Sequence, residues 1–332
     1  INPDLAAAHE LFNILKLPSA VNIETFSCRN FEMVELRLKP DSPLDGVALH
    51  ELRKKYQANF LVCVVQRGEE VYIPDGSFVL KSGDRIGLTA APNEIQKLLK
   101  MMGILRKQAR SVMILGASRT AHYLTKMLLA SGNTVKVIER DPRRAQEFAD
   151  TFPEAVTIVG DGAQQELLLE EGIGEMAAFV ALTGMDEENI LISFFALSQN
   201  VPKVISKVNR NELASMAEKL GLECIISPKR SVSDFLVQYA RALENSLGSN
   251  VETLYKLMDG KAEALEFNVG ADFKFAGVPL KELTRKKDIL IAGIIRGRKT
   301  IIPSGDDCMA AGDKVIVLAA GQQLNDLSDI IR

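Results

Sequence analysis

A chain of 332 residues with 47% hydrophobic and 25% charged residues has the make-up of an ordinary globular protein of two or three domains, which excludes a disordered or fibrous chain. Its formal net charge of -3 argues against a general nucleic-acid binder, and its longest apolar run, residues 190–197 interrupted by Ser193, is far short of the roughly 18 residues that cross a bilayer. The cysteines Cys28, Cys63, Cys224 and Cys308 are scattered without paired spacing, as in a reducing compartment, so a cytoplasmic location is expected.

The chain opens on Asn2-Pro3-Asp4 and Leu5-Ala6-Ala7-Ala8, which read as an N-cap, a first-turn proline and a helix. With Leu11, Phe12, Ile14 and Leu15 along it, this helix needs a surface to pack on, and residues 1–20 are expected to be a linker from a preceding domain. Residues 21–105 read as a small β-rich module: strands at 34–38, 60–65, 71–73 and 85–88, with one short helix at 49–53. Over 108–230 the pattern changes to alternating βα units. Strands are expected at 112–115, 134–138, 156–159, 178–182, 203–207 and 223–226, and helices at 118–130, 142–152, 164–171, 187–199 and 212–220. Repeated βα units with short connections imply a doubly wound parallel sheet. A linker helix at 232–247, within residues 231–248, leads to a module over 249–332. Its strands are expected at 264–268, 289–295, 300–302 and 314–318, with a short helix at 280–283 and a closing helix.

The two flanking modules repeat each other. Gly46-Val47-Ala48-Leu49-His50-Glu51-Leu52 returns as Gly277-Val278-Pro279-Leu280-Lys281-Glu282-Leu283. Ile73-Pro74-Asp75-Gly76 returns as Ile302-Pro303-Ser304-Gly305, and Ser82-Gly83-Asp84-Arg85-Ile86 as Ala311-Gly312-Asp313-Lys314-Val315. Three landmarks in one order mean duplication. Each copy is near the minimal domain size, for which dimerisation is a common remedy. The basic clusters Arg53-Lys54-Lys55, Arg285-Lys286-Lys287 and Arg296 to Lys299 read as solvated loop faces rather than anion contacts.

In a dinucleotide fold the turn after the first strand lets backbone N–H groups approach a pyrophosphate, hence G-x-G-x-x-G. Here the turn is Gly116-Ala117-Ser118-Arg119-Thr120-Ala121, with only the first glycine kept. Ser118, Arg119 and Thr120 are alternative phosphate holders through hydroxyl, guanidinium and helix dipole. Glu139, at the end of the second strand, has the position of a ribose acceptor. Asp161, in Gly160-Asp161-Gly162, and Thr183 also fall at carboxyl ends of strands, where each could equally be a helix cap.

Gly116-Ala117-Ser118-Arg119-Thr120 also looks like a nucleophile elbow. A triad needs a later histidine, however, and of His9, His50 and His122 only His122 follows, four positions on. No H-E-x-x-H, C-x-x-C or P-loop occurs, so neither a catalytic site nor a metal site is expected.

The set Val137-Ile138-Glu139-Arg140-Asp141, Gly160-Asp161-Gly162, Ala181-Leu182-Thr183 with Asp186-Glu187-Glu188-Asn189-Ile190, and Ile226-Ser227-Pro228, together with the flanking landmarks, resembles the peripheral regulatory subunits of Trk-type potassium uptake systems. That resemblance implies a Rossmann-like RCK/KTN domain flanked by two homologous α+β TrkA_C modules, as in a member lacking its first nucleotide domain. It implies NAD(H) or an adenine nucleotide (ATP/ADP) as ligand, and a ligand set of Gly116, Ala117, Ser118, Arg119, Thr120, Glu139, Arg140, Asp161 and Thr183. It further implies assembly as a homo-oligomer, dimer or tetramer, docking on the cytoplasmic face of a potassium-translocating membrane subunit, and no catalysis. A second effector such as cyclic di-AMP in the TrkA_C modules belongs to the same resemblance. Two alternatives stand beside it: an NAD(P)-dependent oxidoreductase, and a ligand-free half that only oligomerises.

Overall fold

The computed structural model describes residues 2–26, 31–56, 59–245, 251–284 and 286–331. Ile1, Cys28, Arg285 and the last two residues of the expected linker helix, 246 and 247, lie outside these, as does the side chain of Arg53. The chain divides into two compact units: Ile1–Val21 with Arg106–Ser233, and Asn22–Leu105 with Asp234–Arg332.

Helix α1 (Pro3–Lys16) is capped by Asn2, whose side chain accepts the Asp4 and Leu5 N–H groups. Its buried face, Ala7, Ala8, Leu11, Ile14 and Leu15, belongs to the core of the first unit. The first module follows as β1 (Asn22–Thr25), β2 (Glu32–Arg37), α2 (Leu49–Tyr56), β3 (Phe60–Arg67), β4 (Glu70–Tyr72), β5 (Arg85–Ala90) and α3 (Pro92–Met101). Its strands form one antiparallel sheet in the order β1-β2-β5-β3-β4.

The central domain runs β6 (Ser111–Leu115), α4 (Arg119–Ala130), β7 (Thr134–Glu139), α5 (Pro142–Thr151), β8 (Val156–Val159), α6 (Gln165–Glu170), β9 (Ala178–Ala181), α7 (Asp186–Ser198), β10 (Lys203–Lys207), α8 (Asn211–Lys219) and β11 (Ile225–Ile226). All neighbours are parallel, in the order β11-β10-β9-β6-β7-β8. That is the doubly wound arrangement whose strand order reverses between β6 and β9. The central strands are apolar on both faces, as a sheet covered on both sides requires. One face carries Val112, Ile114, Val137 and Val180 against α1, α4 and α5; the other carries Met113, Leu115, Phe179 and Ala181 against α6, α7 and α8.

Helix α9 (Pro228–Asn245) leads to the second module, β12 (Val251–Leu257), β13 (Ala262–Asn268), β14 (Ile289–Arg296), β15 (Lys299–Ile301) and β16 (Lys314–Ala320). Its order, β12-β13-β16-β14-β15, duplicates that of the first module, as do its register shifts: Val62/Val64 in β3 and Ile291/Gly293 in β14. The repeated sequence landmarks are repeated contacts. Arg67 reaches Asp84 with Nε at 2.8 Å and Nη2 at 2.7 Å, and Arg296 reaches Asp313 at the same two distances. Arg296, though exposed, is therefore committed to a carboxylate at the end of β14.

Two expectations fail in the second module. Residues 280–283 form turns rather than a helix, because two residues fewer separate the landmarks there than around α2. The closing helix is a single 3-10 turn at Leu327–Ile330, held by an Asp326–Asp329 capping box. Strands β1 and β12 were not anticipated; each is an edge strand. The two modules share one buried cluster, with Phe26, Phe31, Met33 and Val64 from the first and Tyr255, Met258, Ala264, Ala292 and Ile316 from the second. The small modules thus complete one core within the chain.

Candidate functional site

A cleft of about 260 Å³ opens at the carboxyl ends of the parallel strands, where ligands of doubly wound sheets bind. Gly116 and Ser118 follow β6, Glu139 ends β7 and Arg140 follows it, Gly160, Asp161 and Gly162 follow β8, Leu182 to Met185 follow β9, and Lys207 ends β10. Six of the expected residues therefore line one space: Gly116, Ser118, Glu139, Arg140, Asp161 and Thr183.

The turn after β6 requires its glycine. Gly116 has φ +93°, and a Cβ there would lie 3.1 Å from the Leu182 carbonyl oxygen and 3.2 Å from Thr183 Cα. The second position of the motif does not require one: Ser118 sits at φ -77° and its Oγ caps α4 by accepting the Ala121 N–H at 3.3 Å. Glu139, only 5% exposed, accepts the Ala117 N–H on Oε2 at 2.8 Å and the Asp141 N–H on Oε1 at 3.0 Å. Arg144 stands 3.6 Å from Glu139 Oε2 and donates to the Ala117 carbonyl at 3.0 Å.

Asp161 is exposed, and its Oδ1 accepts the Ala163 N–H at 3.0 Å, an Asx turn rather than a cap of α6. Thr183 donates from Oγ1 to Asn189 Oδ1 at 2.8 Å and accepts the Met185 N–H at 3.2 Å; Asn189 in turn donates to the Lys207 carbonyl at 2.9 Å. This network locks the β9 turn to the end of β10.

Three expected residues lie elsewhere. Ala117 and Arg119 border an adjoining groove of about 360 Å³ with His122, Tyr123, Glu147 and Phe148, a space that also touches Ser118 and Arg144. Thr120 reaches neither. It is 1% exposed and donates its hydroxyl to Asp4 Oδ1 at 2.8 Å, because the first turn of α4 rotates it under α1; the expected phosphate contact from Thr120 is corrected accordingly. His122 packs edge-on against Phe148 and Phe152, which is a packing role.

The cleft also holds groups that motif reasoning passed over. Arg144 comes from the first turn of α5, where no motif marks it. Lys207 ends a strand as Glu139 does, so the strand-end rule applied to β10 finds it. Burial holds the Lys207 ammonium below its ordinary pKa, against the opposing pull of Asp186 and Asp4. Its hydrogen bond to the Leu182 carbonyl is long at 3.5 Å. The cleft thus pairs the carboxylates Glu139, Asp161 and Glu188 with the cations Arg140, Arg144 and Lys207. That polarity suits a ligand carrying both hydroxyls and phosphates. Among the described residues no cluster of histidine, cysteine or carboxylates has metal-binding geometry.

Residues 112–228 match the TrkA-N domain, and residues 33–103 and 264–332 each match the TrkA-C domain. Over 328 residues the chain is 28% identical to a Trk system potassium uptake protein TrkA homolog of Methanosarcina mazei, covering 98% of this chain and 71% of that one. It is 28% identical to the homolog of Archaeoglobus fulgidus, covering 100% and 73%, and 25% identical to TrkA of Vibrio alginolyticus, covering 97% and 70%. Among solved structures, the RCK domain of GsuK superposes with a TM-score of 0.55 at 16% identity over 96% of this chain and 67% of that one. The GsuK channel bound to NAD gives 0.54 at 15% identity, over 96% and 56%. These likenesses show the fold.

Proposed function

Because the chain belongs to the family built from TrkA-N and TrkA-C domains, we propose that it is a regulatory subunit that senses a nucleotide and thereby gates a membrane potassium transporter. The observation that carries the reading is the cleft at the β6/β9 switch point, with the positive-φ Gly116 turn on one wall and Glu139 on the next. A nucleotide would lay its phosphates toward Ser118, Arg144 and Lys207 and its ribose toward Glu139. The ligand is NAD(H) or an adenine nucleotide; the GsuK relative in fold is a channel that binds NAD.

The nucleotide works by unequal affinity for two arrangements of the subunit, since a ligand moves an equilibrium only by its differential affinity. The subunit docks as a homo-oligomer on the cytoplasmic face of a potassium-translocating membrane protein and makes no bonds of its own. No helix among the described residues is long and apolar enough to cross a membrane. Titration calorimetry of the folded chain with NADH, NAD, ATP and ADP tests the reading: saturable heat with at least one supports it, and no heat with any removes the nucleotide.

One observation favours a ligand-free oligomerising half instead. Ser118 Oγ and Glu139 Oε2 both serve the turn itself. Under that reading gel filtration shows the same assembly with and without nucleotide.

A further inference from the structure

Lys203 opens β10, and Cys224 stands one residue before β11, the short edge strand that pairs with β10. Both side chains are buried, Lys203 at 5% and Cys224 at 3% exposure. Lys203 Nζ lies 2.8 Å from Cys224 Sγ and 2.5 Å from the Ala20 carbonyl oxygen. Among the described residues these two atoms are its hydrogen-bond acceptors, and no carboxylate pairs with it. A lysine buried this deeply ordinarily meets a carboxylate. Here it meets a thiol.

The contact falls within the range of an N–H···O bond, about 2.7–3.2 Å, although sulfur is a larger atom than oxygen. A bent N–O–S linkage spans nearly the same distance, so one oxygen atom can join the two side chains with little movement of either strand. The neighbours of the sulfur leave no other route for its oxidation to a cross-link. Among the described residues Cys63, Cys224 and Cys308 are all free thiols. Besides Lys203, Cys224 Sγ faces the carbonyl oxygens of Val21 at 3.6 Å and Ala20 at 4.0 Å, which are not nucleophiles toward sulfur.

We propose that Lys203 and Cys224 are a modification site, which dioxygen closes to a covalent N–O–S bridge. The lysine amine gives up one N–H hydrogen and the thiol its S–H hydrogen. N–O and O–S bonds form to one oxygen atom, and the other oxygen leaves as water with both hydrogens. Nitrogen and sulfur are each oxidised by two electrons, and dioxygen takes up all four. The bridge nitrogen keeps one N–H for the Ala20 carbonyl. Closure ties the start of β10 to the approach to β11 and holds the segment after α1 through Ala20. The site is an oxidation-sensitive clamp on one edge of the parallel sheet.

The test compares the intact chain purified under nitrogen with the same chain held in air-saturated buffer, each digested without reductant and mapped by mass spectrometry. The expected product of aeration is a cross-linked pair of peptides holding Lys203 and Cys224, heavier than the two together by one oxygen less two hydrogens. It is absent from the anaerobic sample, and excess dithiothreitol, which supplies the four electrons, returns the free peptides. Cys224→Ser and Lys203→Arg each abolish it. The aerated chain should also melt roughly 5 °C above the anaerobic one, since the link closes a loop across 21 positions. Cys224 recovered after aeration as a freely alkylated thiol, or oxidised with Lys203 still unlinked, overturns the proposal. So does a mapped bridge that leaves the melting temperature unchanged. If either variant fails to fold, the aerated and anaerobic parent chains decide the matter alone.

Discussion

The Glu139 carboxylate accepts the Ala117 N–H at 2.8 Å, so the acid at the end of β7 and the turn after β6 form one hydrogen-bonded piece. A ligand reaching for either finds the other already placed. Glu139→Gln keeps the size but removes the charge that two backbone N–H groups and Arg144 face. The expected outcome is a loss of about 1–3 kcal/mol in stability by urea denaturation, because a buried charged acceptor is lost. Nucleotide heat in calorimetry should fall at least tenfold in affinity with it.

Gly116→Ala tests the turn alone. The positive φ and the 3.1 Å approach to the Leu182 carbonyl would crowd a methyl group against backbone. A destabilisation of about 1–3 kcal/mol is expected from strain at this one position, read from the denaturation midpoint. Gly184, also in the cleft lining, has open space where a Cβ would stand, and Gly184→Ala should leave the midpoint unmoved.

Lys207 gives a pH signature. Its folded-state pKa is lowered by burial from 10.5, so the unfolded chain holds this proton to higher pH than the folded one. The penalty is fully present below the lowered pKa and disappears as pH rises toward 10.5, so this group's contribution to stability rises with pH through that window. Lys207→Met should raise the midpoint at neutral pH and flatten the alkaline slope in a pH series of denaturation curves. If the ammonium meets a ligand phosphate, the same variant should weaken nucleotide binding by about ten- to a hundredfold.

Much of this was legible in sequence because each signal was local. Gly116, Glu139, Asp161 and Thr183 could be placed by counting from strand ends, and the alternation of βα units dictated a parallel sheet. Arg144 and Asn189 were not legible as a site, since α5 and α7 converge on the cleft only through topology, whereas Lys207 was within reach of the strand-end rule. Thr120 misled because a hydroxyl two residues past a cap looks like a phosphate holder until α1 covers it. The duplication was plain in the landmarks, but the missing helix at 280–283 was not, since Pro279 to Leu283 keeps the apolar spacing of α2 without its length.

The twin Arg–Asp pairs predict equal responses in the two modules. Asp84 and Asp313 are buried, each accepts two arginine nitrogens, and each also accepts a backbone N–H, from Lys81 and Ala310. Asp84→Asn and Asp313→Asn should each cost about 2–3 kcal/mol in denaturation experiments, less than a fully buried pair because the arginines are partly exposed. For Asp313, burial pushes the pKa up, but Arg296 and the Ala310 N–H outweigh it and hold it below the ordinary 3.8. A depressed carboxylate stabilises above its unfolded pKa and loses that contribution as pH falls through the folded one. Asp313→Asn should therefore remove part of the acid sensitivity seen in the parent.

The central claim is that the cleft at the β6/β9 switch point holds a nucleotide, and electron density from crystals soaked with NADH or ATP addresses it most directly. The account predicts phosphate density beside Gly116, Ser118 and Lys207 with ribose hydroxyls on Glu139. A cleft left empty at saturating nucleotide, or density bound only in the adjoining groove by His122 and Phe148, would contradict it.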